Sequence, residues 1–60
     1  MTGMDLRIER IRARVTLTDL AREIGISRQR LNQIEDMERV PEPQIARYRS
    51  RLAALRAAGL

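Results

Sequence analysis

The stretch from Thr16 to Glu35 constrains the fold of this 60-residue chain more than any other part. Its first half places apolar residues at the i, i+3, i+4 and i+7 positions of a short helix, namely Leu17, Leu20, Ala21 and Ile24. Its second half places Leu31 and Ile34 three residues apart, on one side of another helix. The pattern predicts two short helices separated by a tight turn.

Residues that favour helix ends stand on both sides of the predicted turn. Thr16 precedes Asp19 by three residues, which is the spacing of a capping box, with an acid shorter than the usual Glu or Gln. Gly25 follows the last periodic residue and can adopt the positive φ that ends a helix, while Ser27 can cap the next helix. Two helices joined by Gly-Ile-Ser make a helix-turn-helix over residues 16–35.

The predicted second helix carries hydrogen-bonding side chains on its outward side: Arg28, Gln29, Arg30, Asn32 and Gln33. Side chains of this kind read base edges in the major groove of DNA. The alternative is a merely solvated helix face. Because the face is long, polar and free of acids, and because it follows a matching turn, we favour base readout.

Residues 17–35 follow the pattern L-T-x-L-A-x-x-x-G-I-S-x-x-x-L-x-x-I-E. This pattern resembles the lambda-repressor-like family of Cro and repressor proteins, also called the xenobiotic-response-element type, and the similarity extends over residues 6–55. The resemblance implies an all-α, four-helix domain over residues 1–60. It also implies a Cro-like or repressor-like transcriptional regulator that binds double-stranded DNA.

Four side chains are our candidates for base contacts: Arg28, Gln29, Asn32 and Gln33. The first two stand at the N-terminal tip of the helix that would enter the major groove. Arginine prefers guanine and glutamine prefers adenine. Gln33 lies one turn beyond Gln29, and Asn32 lies at the flank.

Five side chains are our candidates for contacts with the DNA backbone: Thr16, Thr18, Ser27, Arg30 and Arg39. Hydroxyl groups and N–H groups at helix N-termini can hold phosphates. The family often has Asn-Gly-Lys after the final Glu of the motif, whereas this chain has Asp36-Met37-Glu38. The two acids oppose phosphate contact by the neighbouring Arg39.

The resemblance also implies a structural ion pair between Arg10 and Glu35, which would join the first helix to the recognition helix. Removing one partner of a buried ion pair lowers the stability of a fold far more than removing one partner of a surface pair. The alternative is that these are two unrelated exposed charges.

Two further helices are predicted on either side of the motif. Residues 6–14 contain Leu6, Ile8, Ile11 and Ala13, of which the two isoleucines share a face, and the residues before Asp5 are expected to fray. The last helix is predicted over residues 43–58, with Pro43 in its first turn.

The last predicted helix is also the candidate dimer element. Its seam at 3-4-3 spacing consists of Ile45, Tyr48, Leu52 and Leu55. Because the alanine-rich end exceeds what a four-helix core can use, we expect Leu52 and Leu55 to form the contact of a homodimer. The alternative is a frayed tail.

Composition narrows the classes of function. The chain has 12 basic residues, all arginine, and 8 acids, and its net charge of +4 suits a polyanionic partner. Without cysteine or histidine we expect no enzyme and no metal site, and we expect no cofactor. Because no sensor domain is recognised, we also expect no small-molecule ligand. No long apolar run or signal-peptide pattern is seen, so we expect no membrane association and a cytoplasmic protein at the nucleoid.

A protein–protein adaptor is the rival interpretation. An antitoxin or a phage-type regulator that binds polymerase could use the same fold. The acids Asp36, Glu38 and Glu42 favour this rival, because they would repel phosphate.

Overall fold

The computed structural model describes residues 1–59, so Leu60, the last residue of the predicted domain, lies outside the described residues. The described residues form four helices: α1 (Gly3–Arg12), α2 (Leu17–Ile24), α3 (Arg28–Glu35) and α4 (Glu42–Gly59). Helices α1 and α2 each pack against α3 and α4. The predicted all-α, four-helix architecture is confirmed.

The core gathers apolar side chains from all four helices and from the loop before α4. Its buried members are Leu6, Ala13, Leu20, Ala21, Leu31, Ile34, Val40, Ile45, Tyr48 and Leu52. A second layer is partly buried against them: Val15, Leu17, Ile24, Ile26, Met37 and Leu55. Among the described residues, no helix is long and apolar enough to cross a membrane.

Helix α1 turns a different face to the core than its isoleucines suggest. Leu6 and Ala13 are buried, whereas Ile8 and Ile11 are 40% and 55% exposed. Leu6, Arg10 and Ala13 are spaced i, i+4 and i+7 and therefore share one side of the helix. Of the four apolar residues in this predicted helix, Ile8 and Ile11 therefore lie outside the core, because the inward side of α1 also has to carry Arg10 to its partner on α3.

The N-terminus is anchored, so the expected frayed start is also wrong. Thr2 and Asp5 form a reciprocal capping box at the start of α1. Gly3 donates its N–H to the carbonyl of Met37 at 2.7 Å, and the carbonyl of Met1 accepts from the N–H of Val40 at 3.1 Å. These bonds tie the first residues to the loop between α3 and α4.

The end of α1 uses a left-handed residue that is not glycine. Arg14 has a φ of 60°. The N–H of Arg14 donates to the carbonyl of Ile11, and the N–H of Val15 donates to the carbonyl of Arg10. This pair of bonds is the Schellman motif, in which the left-handed position is usually occupied by glycine.

The turn between α2 and α3 has the geometry that the sequence predicts. Gly25 takes a φ of 91°, and the N–H of Ile26 donates back to the carbonyl of Ala21 at 3.0 Å. Thr16 and Ser27 are the N-caps of α2 and α3. The predicted capping box at α2 is only half formed: the Thr16 side chain accepts from the N–H of Asp19, but the described residues show no return bond to the Asp19 carboxylate.

Helix α4 begins one residue before the predicted start and extends to Gly59. The N–H of Ile45 donates to the carbonyl of Pro41 at 3.1 Å, so Pro43 lies inside the first turn, where its missing N–H costs nothing. Leu52 is only 5% exposed, and Leu55 is partly buried against the core. Leu52 is therefore taken up by the core of one chain, whereas Leu55 keeps part of its surface exposed, and the dimer contact through these two residues stays a prediction.

Candidate nucleic-acid interface

Helix α3 presents a polar face to solvent while its other side is fixed in the core. Leu31, Ile34 and Glu35 are buried. All five outward side chains are exposed: Arg28, Gln29, Arg30, Asn32 and Gln33. At 100° per residue, Gln29 and Gln33 occupy the middle of the outward face and the other three occupy its two edges.

The two edges of this face have different neighbours. Arg28, Gln29 and Asn32 line a shallow groove with Leu17, which is the first residue of α2. Arg30 lies on the other edge, where its Nη1 donates to Oε1 of Gln33 at 3.4 Å. The structure therefore brings three of the four base-contact candidates beside the N-terminus of α2.

The two N-cap hydroxyls each accept one backbone hydrogen bond. Oγ1 of Thr16 accepts from the N–H of Asp19 at 3.1 Å, and Oγ of Ser27 accepts from the N–H of Arg30 at 3.0 Å. In each case the hydroxyl acts as the acceptor, so its own hydrogen is left to donate to an anion. Both residues and Thr18 are exposed, and both stand at helix N-termini, where the dipole favours negative charge.

Arg39 stands apart from the other candidates for backbone contact. It is exposed in the loop that follows the C-terminal end of α3, whereas Thr16, Thr18 and Ser27 lie near helix N-termini. Asp36 and Glu38 in the same loop are also exposed. The charge of this loop is therefore acidic overall, and Arg39 is its only cation.

An ion pair beneath the polar face holds α3 in place. Nε of Arg10 donates to Oε2 of Glu35 at 2.8 Å, and Nη2 donates to Oε1 at 3.2 Å. The side chains are only 11% and 2% exposed. The third guanidinium nitrogen, Nη1, donates to the carbonyl of Val15 at 3.0 Å, just before α2. Arg10 thus contacts α3 and the entry to α2 at once.

Tyr48 completes this buried cluster, a role that the sequence analysis missed because it placed the residue only among the apolar positions of the last helix. Its hydroxyl lies 2.5 Å from Oε2 of Glu35 and 3.1 Å from the carbonyl of Leu6. Burial, followed by the bond to Glu35, raises the pKa of Tyr48, and the bond to Glu35 raises the pKa of Arg10. Both groups therefore stay protonated as donors. The signal in the sequence is that a buried tyrosine needs a partner for its hydroxyl.

A protein-family model described as helix-turn-helix matches residues 6–47. The matched segment contains the whole of α2, the turn and α3, together with Arg10 and Glu35. No curated protein and no solved structure gives a significant match. Because this family model covers more than half of the chain, the protein belongs to the lambda-repressor/Cro-like helix-turn-helix family of DNA-binding transcriptional regulators.

Proposed function

We propose that the protein is a sequence-specific regulator, Cro-like or repressor-like, that reads the major groove of double-stranded DNA with α3. The base contacts come from Arg28, Gln29, Asn32 and Gln33. The observation that carries this proposal is the exposed polar face of a helix whose opposite side is fixed by buried Leu31, Ile34 and Glu35. A face held in one orientation can discriminate between bases, because base contacts demand defined geometry.

Contacts with phosphates set the register of α3 on the duplex. Thr16, Thr18 and Ser27 approach one strand with hydroxyls and helix N-termini. Arg30 supplies a positive charge at the edge of the reading face, and Arg39 supplies one beyond the end of α3. These contacts contribute affinity without sequence information.

The regulator acts as a homodimer in the cytoplasm, at the nucleoid. One short recognition helix reads only a few base pairs, so a two-fold pair of helices gives the longer palindromic site that specific regulation needs. The two half-sites would lie about one helical turn, ~34 Å, apart.

One structural observation favours the alternative function, that of a protein–protein adaptor. Asp36, Glu38 and Glu42 are all exposed between the end of α3 and the start of α4, where they oppose phosphate. An adaptor would use this acidic surface for a protein partner. It would show little affinity for DNA at physiological salt.

Selection of binding sites from randomised duplex DNA tests the proposal. The wild-type chain is compared with the double variant Arg28→Ala/Gln29→Ala and with Arg56→Ala, which removes one positive charge from the far end of α4. We expect a palindromic motif from the wild type and from Arg56→Ala, and a blurred motif from the double variant.

Circular dichroism establishes that each variant is folded, and a salt series gives the number of phosphates contacted. The slope of log affinity against log salt is about −0.9 for each neutralised phosphate. No enrichment by a folded wild-type chain would overturn the proposal and favour the adaptor. An unchanged motif from the double variant would remove Arg28 and Gln29 from the readout.

A further inference from the structure

The large apolar side chains left exposed among residues 1–59 all lie in or just before α1. They are Met1, Met4, Ile8 and Ile11, which are 47%, 53%, 40% and 55% exposed. Met4, Ile8 and Ile11 are spaced i, i+4 and i+7 and form one line along the helix, which we call the α1 stripe. Leu6, Arg10 and Ala13 point the other way, into the protein.

The α1 stripe needs an explanation that the fold does not supply. Single exposed apolar residues are ordinary, but a contiguous line of three on one helix marks an interaction surface. The neighbours packed on α1 are α3 and α4, and they contact its opposite side. Met4, Ile8 and Ile11 are therefore absent from the described core and from the partly buried layer around it.

The charges beside the stripe identify its occupant. At 100° per residue, Asp5 and Arg12 fall on the same edge of the stripe. Along the helix axis, the midpoint between these two residues lies beside Ile8, near the middle of the stripe. Both residues are exposed. Hydrogen bonds from Thr2 lower the pKa of Asp5, so it carries its charge at neutral pH. An acid and a base placed symmetrically about one point complement a second copy of the same helix running antiparallel.

We propose that the α1 stripe is the surface on which two copies of this chain associate, with their α1 helices antiparallel about a two-fold axis near Ile8. Met4 then packs on the partner's Ile11, and Ile8 packs on the partner's Ile8. Asp5 meets the partner's Arg12, and the symmetry makes each unlike contact twice. A parallel pair would instead turn this charged edge toward the opposite edge of the partner's stripe, so Asp5 and Arg12 would not meet.

This inference rests on the proposed function for its biological role, since it supplies the dimer that a palindromic site requires. It uses a different surface from the predicted contact through Leu52 and Leu55, of which Leu52 is buried within one chain. The geometry also predicts a weakness. Arg7 lies on the other edge of the stripe, so two copies bring the Arg7 side chains together, and their repulsion lowers the affinity.

The contact is small. Met4 and Ile11 are seven residues apart, which is about 10 Å along a helix. A stable interface buries about 800 Å² on each partner, so the free chain should associate weakly and DNA should strengthen the pairing.

Sedimentation of the full chain without DNA, over a concentration series, tests the surface directly. We expect a rise from monomer to dimer mass for the wild type. Ile8→Glu/Ile11→Glu should weaken dimerisation by about tenfold or more, because it places like charges in the contact. Arg7→Ala should strengthen it. The matched control, Ala53→Glu/Ala57→Glu, adds the same charges to the exposed face of α4 and should leave it unchanged.

Thermal unfolding shows that the exposed substitutions leave the fold intact. A wild type that stays monomeric at every concentration, or an Ile8→Glu/Ile11→Glu variant that associates like the wild type, would overturn the proposed surface. Because no DNA is present, these outcomes are separate from any failure of DNA binding. A dimer that forms through α1 without DNA affinity would instead refute the proposed function alone.

Discussion

Arg10 and Glu35 are 25 positions apart in the chain and form a two-pronged ion pair between α1 and the end of α3. Tyr48 of α4 adds its hydroxyl to the same carboxylate. Three helices are thus joined at one buried group. Since α3 also carries the exposed polar face, the orientation of that face depends on a contact made on the buried side of the helix.

We predict a large loss of stability from Arg10→Met, because the substitution leaves the carboxylate of Glu35 buried without a positive partner. Breaking one side of a buried pair costs about 3–5 kcal/mol. The control is Arg49→Met, which breaks the exposed Glu9–Arg49 pair and should cost no more than about 1 kcal/mol. Chemical denaturation measures the free energy of unfolding of both variants. Equal losses would mean that the buried pair stabilises the fold no more than the exposed pair does.

Gly3→Ala should destabilise the fold even though alanine favours helices. A Cβ at Gly3 would collide with the backbone of Ile34 and Glu35 at the end of α3. Accommodating the extra methyl group in this close contact should lower the free energy of unfolding by about 1–3 kcal/mol. Gly59→Ala is the matched control, because no atom of the described residues lies within 4 Å of a Cβ built at that position. A Gly3→Ala variant that melts at or above the wild-type temperature would contradict the close approach.

Arg14→Gly should stabilise the protein. Arg14 holds a φ of 60°, which costs an L-residue about 1–2 kcal/mol and costs glycine little. Part of this gain is offset by the greater freedom of glycine in the unfolded chain. Arg51→Gly places the same change at an exposed position in the middle of α4 and should lower the free energy of unfolding by about 1 kcal/mol. The urea concentration at the midpoint of unfolding should therefore rise above the wild-type value for the first variant and fall below it for the second.

Arg28→Ala and Arg39→Ala should weaken DNA binding in different ways. Arg28 is assigned to a base, so its loss should relax the preference at one position of each half-site, with about 1–3 kcal/mol of discrimination lost. Arg39 is assigned to phosphate, so its loss should weaken binding to all sequences and reduce the salt slope by about 1. Binding titrations against matched and mismatched duplexes separate these effects. Identical losses on both duplexes for Arg28→Ala would reassign that residue to the backbone.

Local signals in the sequence predicted the helix ends well. Thr16, Gly25 and Ser27 act where they were expected, because a cap or a left-handed turn depends on residues within three or four positions. The left-handed Arg14 carries no such signal, since arginine has no preference for that conformation. Its backbone is held there by the Schellman bonds and by the contact of Arg10 with Val15.

By itself, the sequence determined the all-α class, the turn and the set of side chains on the outward face of α3. These features follow from periodicity and local chemistry, which depend only on residues close together in the chain. Only the tertiary structure decided which side of α1 faces inward, that Leu52 is buried and that Tyr48 joins the Arg10–Glu35 pair. An apolar stripe shows that a face can be buried, but its partner is fixed by contacts between segments far apart in the chain.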